Sequence, residues 1–154
     1  MDGTPLVTLV DASVVRPLRH AVLRPGQPPA SSQYAADDDA RTGHAAVMTP
    51  DVVAVGTVMP EAPPWEPGRL DAWRIRGMAT VPEARGRGHG TRVLAALVDH
   101  ARRQGARFLW CNARVPARAL YERAGMAGRG EVFELPLIGP HIVMWRVLDP
   151  DPPS

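Results

Sequence analysis

The residues best suited to chemistry lie in one stretch, Met78-Ala-Thr-Val-Pro-Glu-Ala-Arg85-Gly86-Arg87-Gly88-His89-Gly90-Thr91. A strand-like segment runs into a glycine-rich loop, and the loop opens an amphipathic helix. That order builds an anion site. The first N–H groups of a helix have no partner inside it, and the helix dipole is positive at that end. Glycine accepts positive φ and lets backbone approach a phosphate closely. Arg85 and Arg87 add charge-assisted hydrogen bonds. The string Arg-x-x-Gly-x-Gly/Ala is weak alone, because Arg74-Ile-Arg-Gly77-Met-Ala79 also fits it in the middle of a predicted strand. Only the copy at 85–90 stands between a strand and a helix. Two other phosphate patterns fail on named residues. A Walker-type loop needs Gly-Lys-Ser/Thr, and the chain has no lysine. A dinucleotide fingerprint needs Gly-x-Gly-x-x-Gly, whereas Gly86, Gly88 and Gly90 alternate and no acid follows at the end of the next strand.

The elements that must position this stretch are legible as patterns. Residues 90–104 read as a helix, with Val93, Leu94, Leu97, Val98 and Ala101 on one face and Gly105 as its stop. Strands are expected at 6–10, 45–48, 52–59, 73–80, 108–111, 132–135 and 142–148, with Thr49-Pro50-Asp51 as a turn. A helix is expected within 12–24, where Pro17 marks the first turn of a shorter version. A second short helix spans 116–124 and carries Tyr121. The Pro-rich segments 25–42 and 60–69 read as loops shaping a pocket, and Asp37-Asp38-Asp39 as an exposed run. His89 reads as exposed loop spacing. Strands followed by strand–helix–strand–helix and more strands imply a mixed sheet with helices packed on it.

The 154 residues are 45% hydrophobic and 22% charged, which fits one domain with one core. The expected division is a single domain at 1–148 and a flexible tail at 149–154. All 18 basic residues are arginine, against 16 acids, for a net charge of +2. The arginines are scattered among carboxylates and aromatics make up only 5%, so a nucleic-acid partner is not expected. No apolar run reaches the ~18 residues of a membrane helix. The start has no signal-peptide layout, and the single Cys111 has no internal partner; a reduced, cytoplasmic chain is expected. Cys111 on a buried strand reads as a small hydrophobe. His44, His100 and His141 have no metal-ligand spacing, and no metal is expected.

Residues 78–94, followed by Leu120-Tyr121-Glu122-Arg123-Ala124-Gly125-Met126, resemble the GNAT acetyltransferase superfamily. The strings Leu109-Trp-Cys-Asn112-Ala-Arg114 and Gly130-Glu-Val-Phe-Glu134, with Ile138-Gly-Pro-His141, are similar to its small ElaA/YjcF-like branch. The resemblance spans about residues 14–148. It implies an α/β (α+β) fold, with a mixed, mostly antiparallel central sheet of six to seven strands and helices on both faces. It implies an acyltransferase that moves an acetyl group from acetyl-CoA directly to a primary amine, the small-molecule acceptor favoured over a protein. A non-catalytic acyl-CoA sensor is the alternative.

By that resemblance, Met78, Ala79 and Thr80 pair with the pantetheine arm. Arg85, Gly86, Arg87, Gly88, His89, Gly90 and Thr91 cradle the pyrophosphate. Asn112 bonds the cosubstrate, and Tyr121 is the general acid for the leaving thiolate, a partner suited to a phenol. The general base is sought among Glu131, Glu134, His141 and His44, with Glu131 or Glu134 preferred because they follow the Tyr121 helix on the next strand. Met126 stands where the family has Phe, and Arg114 where many members have Asn. A homodimer stays open.

Overall fold

The computed structural model describes residues 6–149. Seven strands form one sheet: β1 (Val7–Val10), β2 (Gly43–Met48), β3 (Val52–Pro60), β4 (Ala72–Thr80), β5 (Phe108–Arg114), β6 (Ala127–Leu135) and β7 (Gly139–Val147). They lie in the order β1-β2-β3-β4-β5-β7-β6. Neighbours are antiparallel except β4 and β5, which run parallel. The α-helices among the described residues are α1 (Ala12–Leu23), α2 (His89–Arg103) and α3 (Arg118–Arg123). The expected α/β architecture is therefore the observed one, with seven strands.

Period-two alternation distributes the helices to both faces. Ala46 and Val55 pack with Val15 and Leu18 of α1. Their neighbours Ala45, Val47 and Ala54 point the other way, onto Val93, Leu94 and Leu97 of α2. Each such Val or Leu, fully buried, contributes about 1.5–3 kcal/mol. α3 adds Tyr121 to the α2-side core, followed by Met126, so a Met at this position serves as packing. No helix among the described residues is long and apolar enough to cross a membrane. The tail expected at 149–154 lies, beyond Asp149, outside the described residues.

Three local expectations are corrected. α1 runs straight through Pro17. Pro17 is exposed, so the Ser13 carbonyl that loses its partner is on the solvent side of the helix and water can satisfy it. Asp37 is buried at 4% exposure, not part of an exposed acidic run, because Arg19 and Arg16 neutralise it. β6 begins at Ala127 rather than 132; Gly128 and Gly130 hide the strand pattern, and the register slips between Arg129 and Phe133.

Two irregularities open the sheet. On β4, Gly77 and Met78 together oppose Gly56 of β3, between the pairs Thr57↔Arg76 and Val55↔Ala79. Gly77 sits at φ +67°, and a Cβ there would lie 2.8 Å from Arg19 Nε. Such a bulge bends its strand. β4 and β5 pair only at Ala72↔Phe108, Trp73↔Leu109 and Arg74↔Trp110. Beyond those three pairs the two strands diverge.

Candidate active site

The divergence leaves a cleft of about 530 Å³. β4 contributes residues 74–80 to its wall and β5 contributes Asn112 and Arg114. Leu23 and Arg24 at the end of α1, Tyr34, Leu120 and Tyr121 of α3, and His141 of β7 close it. Because β4 has no strand partner on its β5 side past Arg74, its backbone amides and carbonyls there are free to bond an extended, amide-bearing ligand.

At the far end of β4 the chain turns through Pro82–Ala84 into the glycine loop. Gly86 and Gly88 adopt φ +81° and +80°, the left-handed region that costs other residues about 1–2 kcal/mol. Gly88 caps α2, whose first intrahelical bond runs from the Arg92 N–H to the Gly88 carbonyl. The amides of His89, Gly90 and Thr91 therefore lack helical partners. Arg92 also donates to the Arg87 carbonyl at 3.1 Å and Arg85 to the Thr80 carbonyl at 3.2 Å, fastening the loop to helix and strand.

The structure brings together Met78, Ala79, Thr80, Arg85, Gly90, Asn112 and Tyr121 around the one cleft. Gly86, Arg87 and Gly88 lie in the exposed loop at its end. Thr91 faces a separate groove between α2 and α3. His89 is buried at 5% exposure rather than exposed, its Nδ1 facing Arg92 at 3.4 Å. Being the first residue of the helix, it turns inward with the helical phase, which loop spacing does not reveal.

Tyr121 is buried and lines the cleft. Burial, with Cys111 nearby, holds its phenol well above the ordinary tyrosine range, so it carries its proton at neutral pH. Burial likewise pushes the Cys111 thiol up to about 12, which leaves it an unreactive thiol inside the core.

Glu131 and Glu134 are exposed and neither lines the cleft. His141, opposite Arg114 in the β5–β7 register, is buried and does line it. Its Nδ1 lies 2.8 Å from the Gly139 carbonyl. A carbonyl only accepts, so Nδ1 carries a proton, and the lone pair of the neutral ring is on Nε2. His44 is elsewhere: its Nε2–H donates to the Asp37 carbonyl and its Nδ1 accepts from the Thr57 hydroxyl. Among the described residues no group of three or more His, Cys, Asp or Glu could hold a metal ion.

The segment 60–69, expected to shape the pocket, does not line the cleft. Trp65 packs edge-on against Phe108 and Trp110. Of residues 25–42, only Tyr34 reaches the cleft. Arg76 and Tyr34 were not legible as site residues. The only signal for Arg76 was the bulge glycine beside it, which looked like a stray motif match.

A family model for the acetyltransferase (GNAT) family matches residues 15–126. The chain belongs to the GNAT acetyltransferase family. It is 30% identical over 132 residues to the uncharacterised N-acetyltransferase YitI of Bacillus subtilis, covering 85% of this chain and 88% of that one. This GNAT chain shares its fold with a phosphinothricin acetyltransferase from Sinorhizobium meliloti solved with acetyl-CoA, at TM-score 0.72 and 17% identity, covering 94% and 89% of the two chains. It also superposes on Escherichia coli ElaA at TM-score 0.68 and 17% identity, covering 93% and 99%. The family and the relative together make it an acyltransferase enzyme of the N-acetyltransferase class.

Proposed function

We propose that this chain transfers an acetyl group from acetyl-CoA to a primary amine of a small molecule, in the cytoplasm. The observation that carries the reading is the splay of β4 from β5, with a left-handed glycine loop at its end and a buried, protonated Tyr121 in its wall. The donor set fits the ligand: free strand amides suit the amide-bearing arm, and unpartnered helix amides with Arg85 suit the pyrophosphate.

Bound there, acetyl-CoA supplies an activated thioester. The β4 backbone at 78–80 holds the arm extended from the glycine loop, and a free amide at the Met78 end of that stretch polarises the thioester carbonyl. The amine nitrogen bonds to the carbonyl carbon as the carbon–sulfur bond breaks. Tyr121 O–H donates its proton to the departing sulfur. His141 Nε2 takes the proton that the amine gives up, a role its position favours over Glu131 or Glu134. Asn112 adds a polar contact from β5. The sensor alternative lacks support from the wall, because a module that only bound acyl-CoA would not require an acid and a base facing one cleft.

Calorimetric titration with acetyl-CoA, CoA and ATP tests the reading. Micromolar binding of both CoA species but not ATP is expected, followed by thiol release when amines are added. Equal binding of ATP, or none by CoA, overturns it.

A further inference from the structure

Five arginines line the cleft, Arg24, Arg74, Arg76, Arg85 and Arg114, and no Asp or Glu is among the lining residues. These charges are not equivalent. Arg74 is neutralised by Glu61 at 2.9 Å. Arg85 lies at the loop end, bonded to Thr80. Arg114 has only the Leu23 carbonyl, at 3.2 Å. Arg76 forms no ion pair among the described residues, Glu61 being engaged by Arg74; its guanidinium lies 3.9 Å from the centre of the Tyr34 ring. Both Arg76 and Arg114 are held below the ordinary guanidinium range, by burial first and then by neighbouring arginines, Arg74 in one case and Arg24 in the other. A wall with surplus positive charge of this kind repels cationic ligands and gains when an anion arrives.

Arg76 is also at the correct end to serve the acceptor rather than the cosubstrate. It precedes the 78–80 stretch, separated from it by the bulge at Gly77, and the glycine loop lies beyond Thr80 at the other end. Tyr34 lines the same wall, its ring held between the guanidiniums of Arg76 and Arg19.

We infer that the acceptor is a primary amine carrying an oxyanion, as in an amino acid, which Arg76 of β4 and Arg114 of β5 receive across the splay. The inference rests on the acetyl-transfer reading above. It makes Arg76 a specificity residue: guanidinium and oxyanion form paired charge-assisted hydrogen bonds, which fix the amine at the thioester.

The test measures kcat/KM by thiol release with glycine, β-alanine, glutamate and phosphoethanolamine against ethylamine, alaninamide and putrescine. The wild type is expected to favour the anionic amines, with Arg76→Gln removing about 30-fold or more of that preference and leaving CoA affinity unchanged. Phosphoethanolamine against the amino acids distinguishes phosphate from carboxylate. In parallel, CoA-loaded protein is titrated with N-acetyl-β-alanine and with N-ethylacetamide, and only the former is expected to bind. Equal rates for neutral or cationic amines overturn the inference, as does a preference that survives Arg76→Gln. Failure of N-acetyl-β-alanine to bind a protein that does bind CoA also overturns it, and leaves the cosubstrate reading intact. Absence of CoA binding overturns the underlying reading instead.

Discussion

Two groups of arginines sit on the α1 side of the same sheet and are treated in opposite ways. Beneath α1, Arg19 is buried at 1% exposure with its charge answered by Asp37, its Nε alone lacking a hydrogen-bond partner. It donates to both Asp37 oxygens at 2.8 and 3.1 Å, to the Ser32 carbonyl at 2.9 Å and to Thr57 Oγ1 at 2.7 Å. The Thr57 hydroxyl in turn donates a hydrogen bond to His44 Nδ1, and His44 Nε2–H closes the ring at the Asp37 carbonyl. Beside it in space, Arg76 shares the Tyr34 ring with Arg19 and forms no ion pair among the described residues. A closed network holds a fold in one arrangement, whereas an open one leaves charge for a ligand. Gly77 is where the two meet, since Arg19 and Tyr34 crowd the position a side chain would occupy.

The strongest way to break this contrast is Asp37→Asn. It strands Arg19 in the interior and is expected to cost about 3–5 kcal/mol of stability, read in urea melts, or to prevent folding. Arg76→Gln in the same melts should cost far less or even stabilise, because it relieves repulsion. Equal losses for both would show that the cleft arginines are structural after all.

Tyr121→Phe is expected to lower turnover by roughly 10²–10⁴-fold while calorimetric CoA affinity stays unchanged. His141→Ala should lower turnover by about 10²-fold. Larger losses in Glu131→Gln or Glu134→Gln than in His141→Ala would return the base to β6. Gly88→Ala forces a side chain into left-handed backbone and should cost about 1–2 kcal/mol, with weaker CoA binding as the loop amides shift.

The smallest effect is on pH. Burial raises the Asp37 carboxyl, but hydrogen bonds from Arg19, the Tyr34 amide and Arg16 outweigh it, and the group ends below its ordinary 3.8. Burial first of all lowers His44 below 6.5, against a partial rise from the Asp37 carbonyl. Both groups bind protons more readily unfolded, so both contribute stability at neutral pH that acid removes. Loss should begin as pH falls below about 6.5 through His44 and deepen below about 4 through Asp37. Thermal melts from neutral pH down to about pH 3 check this profile.

The glycine loop, α2 and most strands were legible because their signals are local. Gly86 and Gly88 are demanded by φ, and the apolar positions from Val93 to Ala101 by helical phase. These determine by themselves the left-handed glycine turn at the head of α2, and with the Tyr121 segment they mark the family. What only the tertiary structure decided is which charges are answered. Arg19 and Asp37 are 18 residues apart and Arg19 and Thr57 are 38 apart, pairs that no local pattern encodes. The same holds for His141, which the β5–β7 register carries into the cleft while Glu131 and Glu134 stay in solvent. Residue type states what a side chain can do. Arg19 and Arg76 stack on the same Tyr34 ring, and it is the fold that brings the buried carboxylate of Asp37 to Arg19.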